Sequence, residues 1–291
     1  MSSKVLEALK NANLHFTPTK LPHFVQVGRK RVKNPKSFSI ARVEGKGVDR
    51  VAKILGTCGP SYTPVSNYKA FEFLDVILNN QTITSKVEYL RSLRNDQAVA
   101  FCISTSSDVI GKYRVHKRIT IVNSHDGRGS IEGLMTPRIE NLDGRTHDLF
   151  FTQESYRFRH TPGVELRLKS ATRLLDLTQE FYTQLQSDFI SMMTTPTSSI
   201  QDRSFQEMLS IIVPGTSKHA NAERTRLATV LNQRLYQNGL TNLLEVFLEM
   251  STCLTEKRRV RDKSNIEYGN LTGACVDSLV DLRSTALMHT L

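Results

Sequence analysis

No stretch of this chain approaches the roughly 18 consecutive apolar residues that a membrane-spanning helix needs. Runs such as Val76-Ile77-Leu78 and Ile211-Ile212-Val213 are far too short, so no membrane contact is expected. The first residues, Met1-Ser2-Ser3-Lys4-Val5-Leu6-Glu7, lack the unbroken apolar segment and small-residue cleavage site of a secretory signal, which predicts a cytoplasmic protein. Cysteine is scarce: Cys58, Cys102, Cys253 and Cys275 form no C-x-x-C pair, and disulfides are not expected in a cytoplasmic chain. The eight histidines show neither H-E-x-x-H nor H-x-x-x-H spacing, so no metal and no other cofactor is expected. There is no Gly-x-x-x-x-Gly-Lys-Ser/Thr loop, which argues against a nucleotide-driven motor, and no Gly-x-Ser-x-Gly setting for a serine nucleophile. Internal repeats are absent as well.

What the chain does have is positive charge. Its 291 residues carry 39 Lys and Arg against 28 Asp and Glu, a formal charge of +11. Residues 1–60 hold +9 of this, and residues 61–166 and 167–291 hold +1 each. The excess is densest in Gly28-Arg29-Lys30-Arg31-Val32-Lys33-Asn34-Pro35-Lys36, where the flanking Gly and Pro predict a loop or hairpin tip. Such a run beside Phe16, Phe24 and Phe38 suits a polyanion, because cationic groups displace the counterions of phosphates and aromatic rings offer faces to unpaired bases. A hydrophobic fraction of 39% is enough to build a core.

The apolar periodicity changes along the chain. A weakly amphipathic helix is predicted over residues 4–14, ended by Thr17-Pro18. Alternating strands follow at 24–27, 38–43 and 51–56, then a helix from about Asn67, taken as its cap, through Leu78. Strands at 87–93 and 97–103 are joined by Arg94-Asn95-Asp96, and further strands are expected at 113–122, 130–135 and 148–151. After His160-Thr161-Pro162-Gly163 the spacing becomes helical. Leu168, Ala171, Leu174, Leu175, Tyr182, Leu185, Phe189 and Met192 form one stripe, and helices follow at about 203–212, 218–237, 240–257 and 271–288. The expected fold is α+β: a curved, mainly antiparallel sheet in the N-terminal half backed by helices, with a helical C-terminal region. The expected division is a basic sheet domain at 1–166 and a helical region at 167–291, which packs on it or mediates oligomerisation.

The stretch Leu55-Gly56-Thr57-Cys58-Gly59-Pro60-Ser61-Tyr62-Thr63-Pro64-Val65-Ser66-Asn67, continuing through an acidic-aromatic helix to Asp75, resembles the phage- and plasmid-borne domain of unknown function 932 family. Four further stretches agree in order: the basic segment ending in Ala41-Arg42, Asn123-Ser124-His125-Asp126-Gly127, Thr136-Pro137-Arg138 and Arg159-His160-Thr161. The likeness covers about residues 20–190. Where members of the family often have Cys-Gln-Asn-Thr, this chain has Ile139-Glu140-Asn141-Leu142-Asp143, so no role of that cysteine is carried over. The resemblance implies a protein of mobile elements in a bacterial host cell and supplies no reaction.

His125-Asp126 invites a general-base or metal-dependent nuclease reading. Neighbouring strand residues face opposite ways and Asp-Gly is a common turn pair, so a structural turn is expected, and no residue is assigned as catalytic. A second basic cluster, Lys257 to Lys263, is read as a helix end or a phosphate-binding edge. The expected function is non-enzymatic: binding of single-stranded DNA in replication or recombination by an ATP-independent annealing protein. The contacts would come from Arg29, Lys30, Arg31, Lys33, Lys36, Arg42, Tyr62, Lys117, Arg118 and Arg128. A homo-oligomer is expected, for which the apolar face of Leu240, Leu243, Leu244, Phe247 and Leu248 offers a means unless that face packs inside the monomer. The alternatives are a counter-defence protein that binds a host restriction or immunity component and, third, a metal-dependent nuclease.

Overall fold

The computed structural model describes residues 3–45, 50–81, 84–127, 129–149, 151–164, 168, 174–197, 209–210, 213, 215–249 and 251–252. It is an α+β fold with ten strands and, among the described residues, five named helices. The strands do not join one sheet. β1 (Thr19–Val27), β2 (Lys30–Glu44) and β3 (Val51–Cys58) form an antiparallel sheet in the order β1-β2-β3. β4 (Lys86–Leu93), β5 (Ala98–Ile110), β6 (Tyr113–Ser124), β7 (Ile131–Met135) and β10 (Phe151–Phe158) make a second path in the order β10-β7-β6-β5-β4, to which β8 (Arg138–Asn141) and β9 (Thr146–Asp148) add at β6. The strand expected at 148–151 is therefore two strands, with the buried Leu149 between them.

The chain divides into two compact units. The first comprises Met1–Ser106, Arg118–Leu134 and Gln153–Leu177, and the second Ser107–Lys117, Met135–Thr152 and Thr178–Leu291.

In the first unit, α1 (Lys4–Asn11) buries Val5 and Leu9 and packs against α2 (Asn67–Phe71) and α3 (Leu74–Leu78). Asp75 fixes that packing: its carboxylate accepts from the Val5 N–H at 3.0 Å and from the hydroxyl of Ser3, the helix cap, at 2.5 Å. The single helix expected from Asn67 onward is broken at Glu72-Phe73 into two short ones, and Ser66, not Asn67, is its cap. Phe71 packs on Phe101 of β5 with centroids 5.5 Å apart. The β4–β5 turn holds Arg94, Asn95 and Asp96 all at positive φ, a costly run that the Asp96 side chain stabilises by bonding Ser92 at 2.6 Å.

In the second unit, α4 (Leu174–Thr194) buries Tyr182, Leu185, Phe189 and Met192, as its spacing predicts. α5 (Lys218–Asn238) starts at a Ser217 cap and stops at Gly239, whose φ is +57°. A further helical stretch, 243–249, buries Leu243, Leu244, Phe247 and Leu248, with Phe247 against Phe189. Of the two readings of that face, self-association or burial within the monomer, the second holds for these four residues, which are part of the unit's own core, while Leu240 is half-buried. The helices expected at 271–288 and most of 203–212, and the basic cluster at 257–263, lie outside the described residues. No helix among the described residues is long and apolar enough to cross a membrane.

Candidate functional site

The basic run forms the tip of the β1–β2 hairpin. β3 pairs with β2 only from Phe38 to Glu44, so beyond the bulge at Pro22/His23 two strands stand alone, paired His23↔Asn34 through Val27↔Lys30. At about 3.4 Å per residue these five pairs make an arm roughly 17 Å long. Gly28 and Arg29 turn it, with φ at +59° only on Gly28, where a side chain would be strained. Both faces are open: Val25, Val27 and Val32 are half or more exposed, and Arg29, Lys30, Arg31, Lys33 and Lys36 are exposed as well. No acidic residue stands between Glu7 and Glu44, so nothing within that segment neutralises the five cations.

Strand pleating distributes these charges. Paired residues share a face and successive pairs alternate. Lys30 therefore lies with Val27, Val25 and Val32, whereas Arg31 and Lys33 lie on the opposite face with Gln26 and Phe24. The Arg31 guanidinium covers the Phe24 ring at 4.4 Å, and Arg29 occupies the turn.

The base of the arm is anchored. His23 sits between the hydroxyls of Ser37 and Ser39, at 2.8 and 2.5 Å. Lys20 donates to the carbonyls of Pro60 and Tyr62 and lies over Phe38. Asp96 reaches from the β4–β5 turn to Lys53 of β3 at 2.7 Å and Arg42 of β2 at 3.3 Å. Burial would raise its pKa, but the hydrogen bonds from Lys53 and Ser92 and the charges of Lys53 and Arg42 outweigh burial and hold it below the ordinary carboxylate value.

A second constellation lies in the same unit. Asn67 is buried at the start of α2, where its amide NH2 donates to the Leu14 carbonyl at 2.9 Å. Its Oδ1 accepts from Asn123 Nδ2 at 3.0 Å and faces His125 Nε2 at 2.8 Å. That oxygen can only accept, so His125 carries its proton on Nε2. Nδ1 is buried and has no hydrogen-bond partner among the described residues. Burial, with a smaller contribution from His160, drives the His125 pKa down to about 3, and the ring is neutral. His160 is also buried, stacked on Tyr62 with centroids 4.9 Å apart, and its pKa falls to about 4, chiefly through burial. Its carbonyl accepts from the Thr63 N–H at 2.9 Å.

Asp126 faces the other way from His125. Its carboxylate binds the Ser124 hydroxyl at 3.0 Å, the Gly129 N–H at 2.8 Å and Arg94 at 3.3 Å. Gly127, at φ +81°, completes a turn whose backbone lies directly on β3. A side chain at Gly56 would overlap the Asp126 carbonyl, and one at Gly127 the Thr57 carbonyl. The two glycines thus let the loop of one sheet touch the backbone of the other. Leu-Gly at 55–56, Tyr62 to Asn67, Asn123 to Gly127 and Arg159 to Thr161, far apart in sequence, converge here.

Comparison with known proteins identifies the stretch that carries these motifs: the family described as domain of unknown function (DUF932) matches residues 54–266. The chain belongs to the DUF932 family. No curated protein and no solved structure matches it. The DUF932 match begins inside β3 and contains all four converging segments, while the arm and the Ala41-Arg42 segment precede it. It runs further toward the C-terminus than the expected likeness, which ended near residue 190.

Arg29, Lys30, Arg31 and Lys33 stand together on the arm, with Lys36 following at its base on β2, while Arg42, Tyr62 and Arg118 lie off the arm. Arg42 is buried, paired with Glu44 at 2.6 Å and with Asp96, and its guanidinium lies over Phe16. Tyr62 is half-buried and its pKa is raised, first by burial. Arg118 is only 3% exposed, which puts it out of reach of a polyanion on the surface. Lys117 belongs to the second unit, where it binds Asp108 at 2.7 Å. Arg128 lies outside the described residues. The sequence does not mark Asn67 as a hub or His160 as the ring stacked on Tyr62. Both stand in motifs carrying the resemblance, but their contacts reach across more than fifty residues. Among the described residues no cluster of His, Cys, Asp and Glu has the arrangement of a metal site. A polar cavity of about 370 Å³ in the second unit is lined by charges already paired with one another, Lys112 with Glu245 and Arg145 with Asp143 and Glu249.

Proposed function

We propose that this protein binds nucleic acid through the β1–β2 arm, as a DNA-binding protein of a phage or plasmid that works on DNA in replication or recombination within the cytoplasm of a bacterial host. The observation that carries this reading is the arm itself: four cations on a two-stranded projection exposed on both faces and a fifth, Lys36, at its base, with no acid among them. Neutralising phosphates releases condensed counterions, so such a cluster drives sequence-independent association. The buried Asn67–Asn123–His125 network serves this function as scaffolding, since it locks the loop at 123–127 to the helix start and, through Gly56, to the sheet that bears the arm.

The test is an equilibrium binding series with labelled DNA. The full chain binds with an affinity that falls steeply as salt rises, and Arg29→Ala, Lys30→Ala and Arg31→Ala combined weaken binding while leaving the melting temperature unchanged. Affinity that does not respond to salt or to the triple substitution removes the proposal. Incubation with magnesium or manganese leaves the DNA intact in this reading, and cleavage lost on Asp126→Asn would favour a nuclease instead.

A further inference from the structure

We infer that the arm recognises double-helical DNA by entering its major groove, and that the single-strand preference expected from composition does not hold. This rests on the nucleic-acid reading above and adds the form of the ligand.

Three features of the arm carry the inference. The first is the placement of charge. Because Lys30 lies on one face, Arg31 and Lys33 on the other and Arg29 at the turn, the cations point to opposite sides of the ribbon. A single strand lying along either face meets only that face's cations. A groove has a phosphate row on each wall, so both faces and the tip find partners at once.

The second feature is the aromatic content. Proteins that hold single strands without sequence preference rely on rings that stack successive bases. The free part of the arm has two rings: His23, held at its base between Ser37 and Ser39, and Phe24, over which Arg31 already lies at 4.4 Å. Base stacking would have to displace that contact. The exposed Val25, Val27 and Val32 offer no stacking surface, but they suit apolar contact with thymine methyl groups, which are displayed in the major groove.

The third feature is shape. Between His23 and Asn34 no third strand among the described residues pairs with either edge of the ribbon, so its whole width can enter a cleft. A two-stranded ribbon fits the B-form major groove, about 12 Å wide, whereas the minor groove at about 6 Å is too narrow without distortion. The type of turn at Gly28-Arg29 keeps the tip to two residues, so no bulky loop obstructs insertion.

The experiment titrates the full chain against a labelled duplex of roughly 20 base pairs and against each of its separated strands, across a range of about 50 to 200 mM salt. The duplex binds more tightly than either strand, with a log–log salt slope near −4.5 for about five neutralised phosphates. Lys30→Ala and Arg31→Ala, from opposite faces, each reduce the duplex slope by about 0.9. Thermal melts identical to the parent confirm that these exposed substitutions leave the fold intact. Strands that bind as tightly as the duplex, or a Lys30→Ala variant that binds like the parent while Arg31→Ala and Lys33→Ala weaken, overturn groove insertion and leave the arm as a one-faced nucleic-acid platform. Failure to bind either form, or binding indifferent to all three substitutions, overturns the nucleic-acid reading itself.

Discussion

His125 donates its Nε2 proton to Oδ1 of Asn67, 58 residues earlier, at 2.8 Å, and this one contact fixes the tautomer of the ring and the orientation of the amide. With Asn123 on the same oxygen and Leu14 on the amide nitrogen, Asn67 joins three segments of the chain in a space closed to water.

Asn67→Ala leaves the Leu14 carbonyl and the His125 Nε2–H without their partner, while the Asn123 amide keeps the Val65 carbonyl as its other acceptor. At about 1 to 3 kcal/mol for each of the two buried groups left unsatisfied, the loss is roughly 2 to 6 kcal/mol. The melting temperature falls by about 2 to 4 °C for each kcal/mol lost. Differential scanning calorimetry reads this directly, and a change of only one or two degrees would show that the network contributes little.

The two buried histidines make stability depend on pH. Their folded pKa values, about 3 for His125 and about 4 for His160, lie below that of an unfolded histidine, about 6.5. The unfolded chain therefore binds more protons below pH 6.5 or so, and stability falls as pH falls through that window toward 4 and 3. At pH 5, about 1.5 units down, each ring costs about 2 kcal/mol. Urea midpoints should drop clearly between about pH 7.5 and pH 5, before carboxylates such as Asp96 are protonated. A midpoint constant over that range contradicts neutral burial of both rings.

Gly56→Ala and Gly28→Ala separate packing from turn strain. At Gly56 a methyl group overlaps the Asp126 backbone, which cannot rotate away, and the cost is about 2 to 3 kcal/mol. At Gly28 the space is open and only the positive φ opposes the change, so about 1 kcal/mol is lost. Denaturant unfolding of the two variants should show that order, and equal losses would mean that the two sheets do not depend on close approach at Gly56.

Asp96→Asn keeps the shape of the side chain and removes its charge. Arg42, whose side chain is 9% exposed, then loses one of its two carboxylate partners in a partly buried setting. The expected loss is about 3 kcal/mol. Adding Arg42→Met to Asp96→Asn should recover part of it, and a double-substitution cycle measures how much.

Local signals were legible in the sequence. Gly28 and the Arg94-Asn95-Asp96 triplet announced their hairpins because turn chemistry is written in adjacent residues, and the stripe from Tyr182 to Met192 announced α4 for the same reason. Long-range placement was not. Asn67 has the composition of a helix cap, and only contacts more than fifty residues away make it a hub. Arg118 and Arg42 count as positive charge in any sum, yet both stand in unbroken buried runs, 118–123 of β6 and 40–42 of β2, where neighbours cover both faces of the strand, which charge alone does not reveal. The apolar face at 243–248 read as a surplus because its partner Phe189 lies on a separate helix.

Beyond Phe38 the ribbon has two bare strand edges and three exposed valines, which are the ingredients by which strands of separate molecules stack on one another. Five like charges on every copy oppose that approach. The lysines and arginines thus guard the arm against pairing with its own kind, and a variant that swaps them for neutral residues should precipitate sooner than the parent on concentration, even though its fold is just as stable.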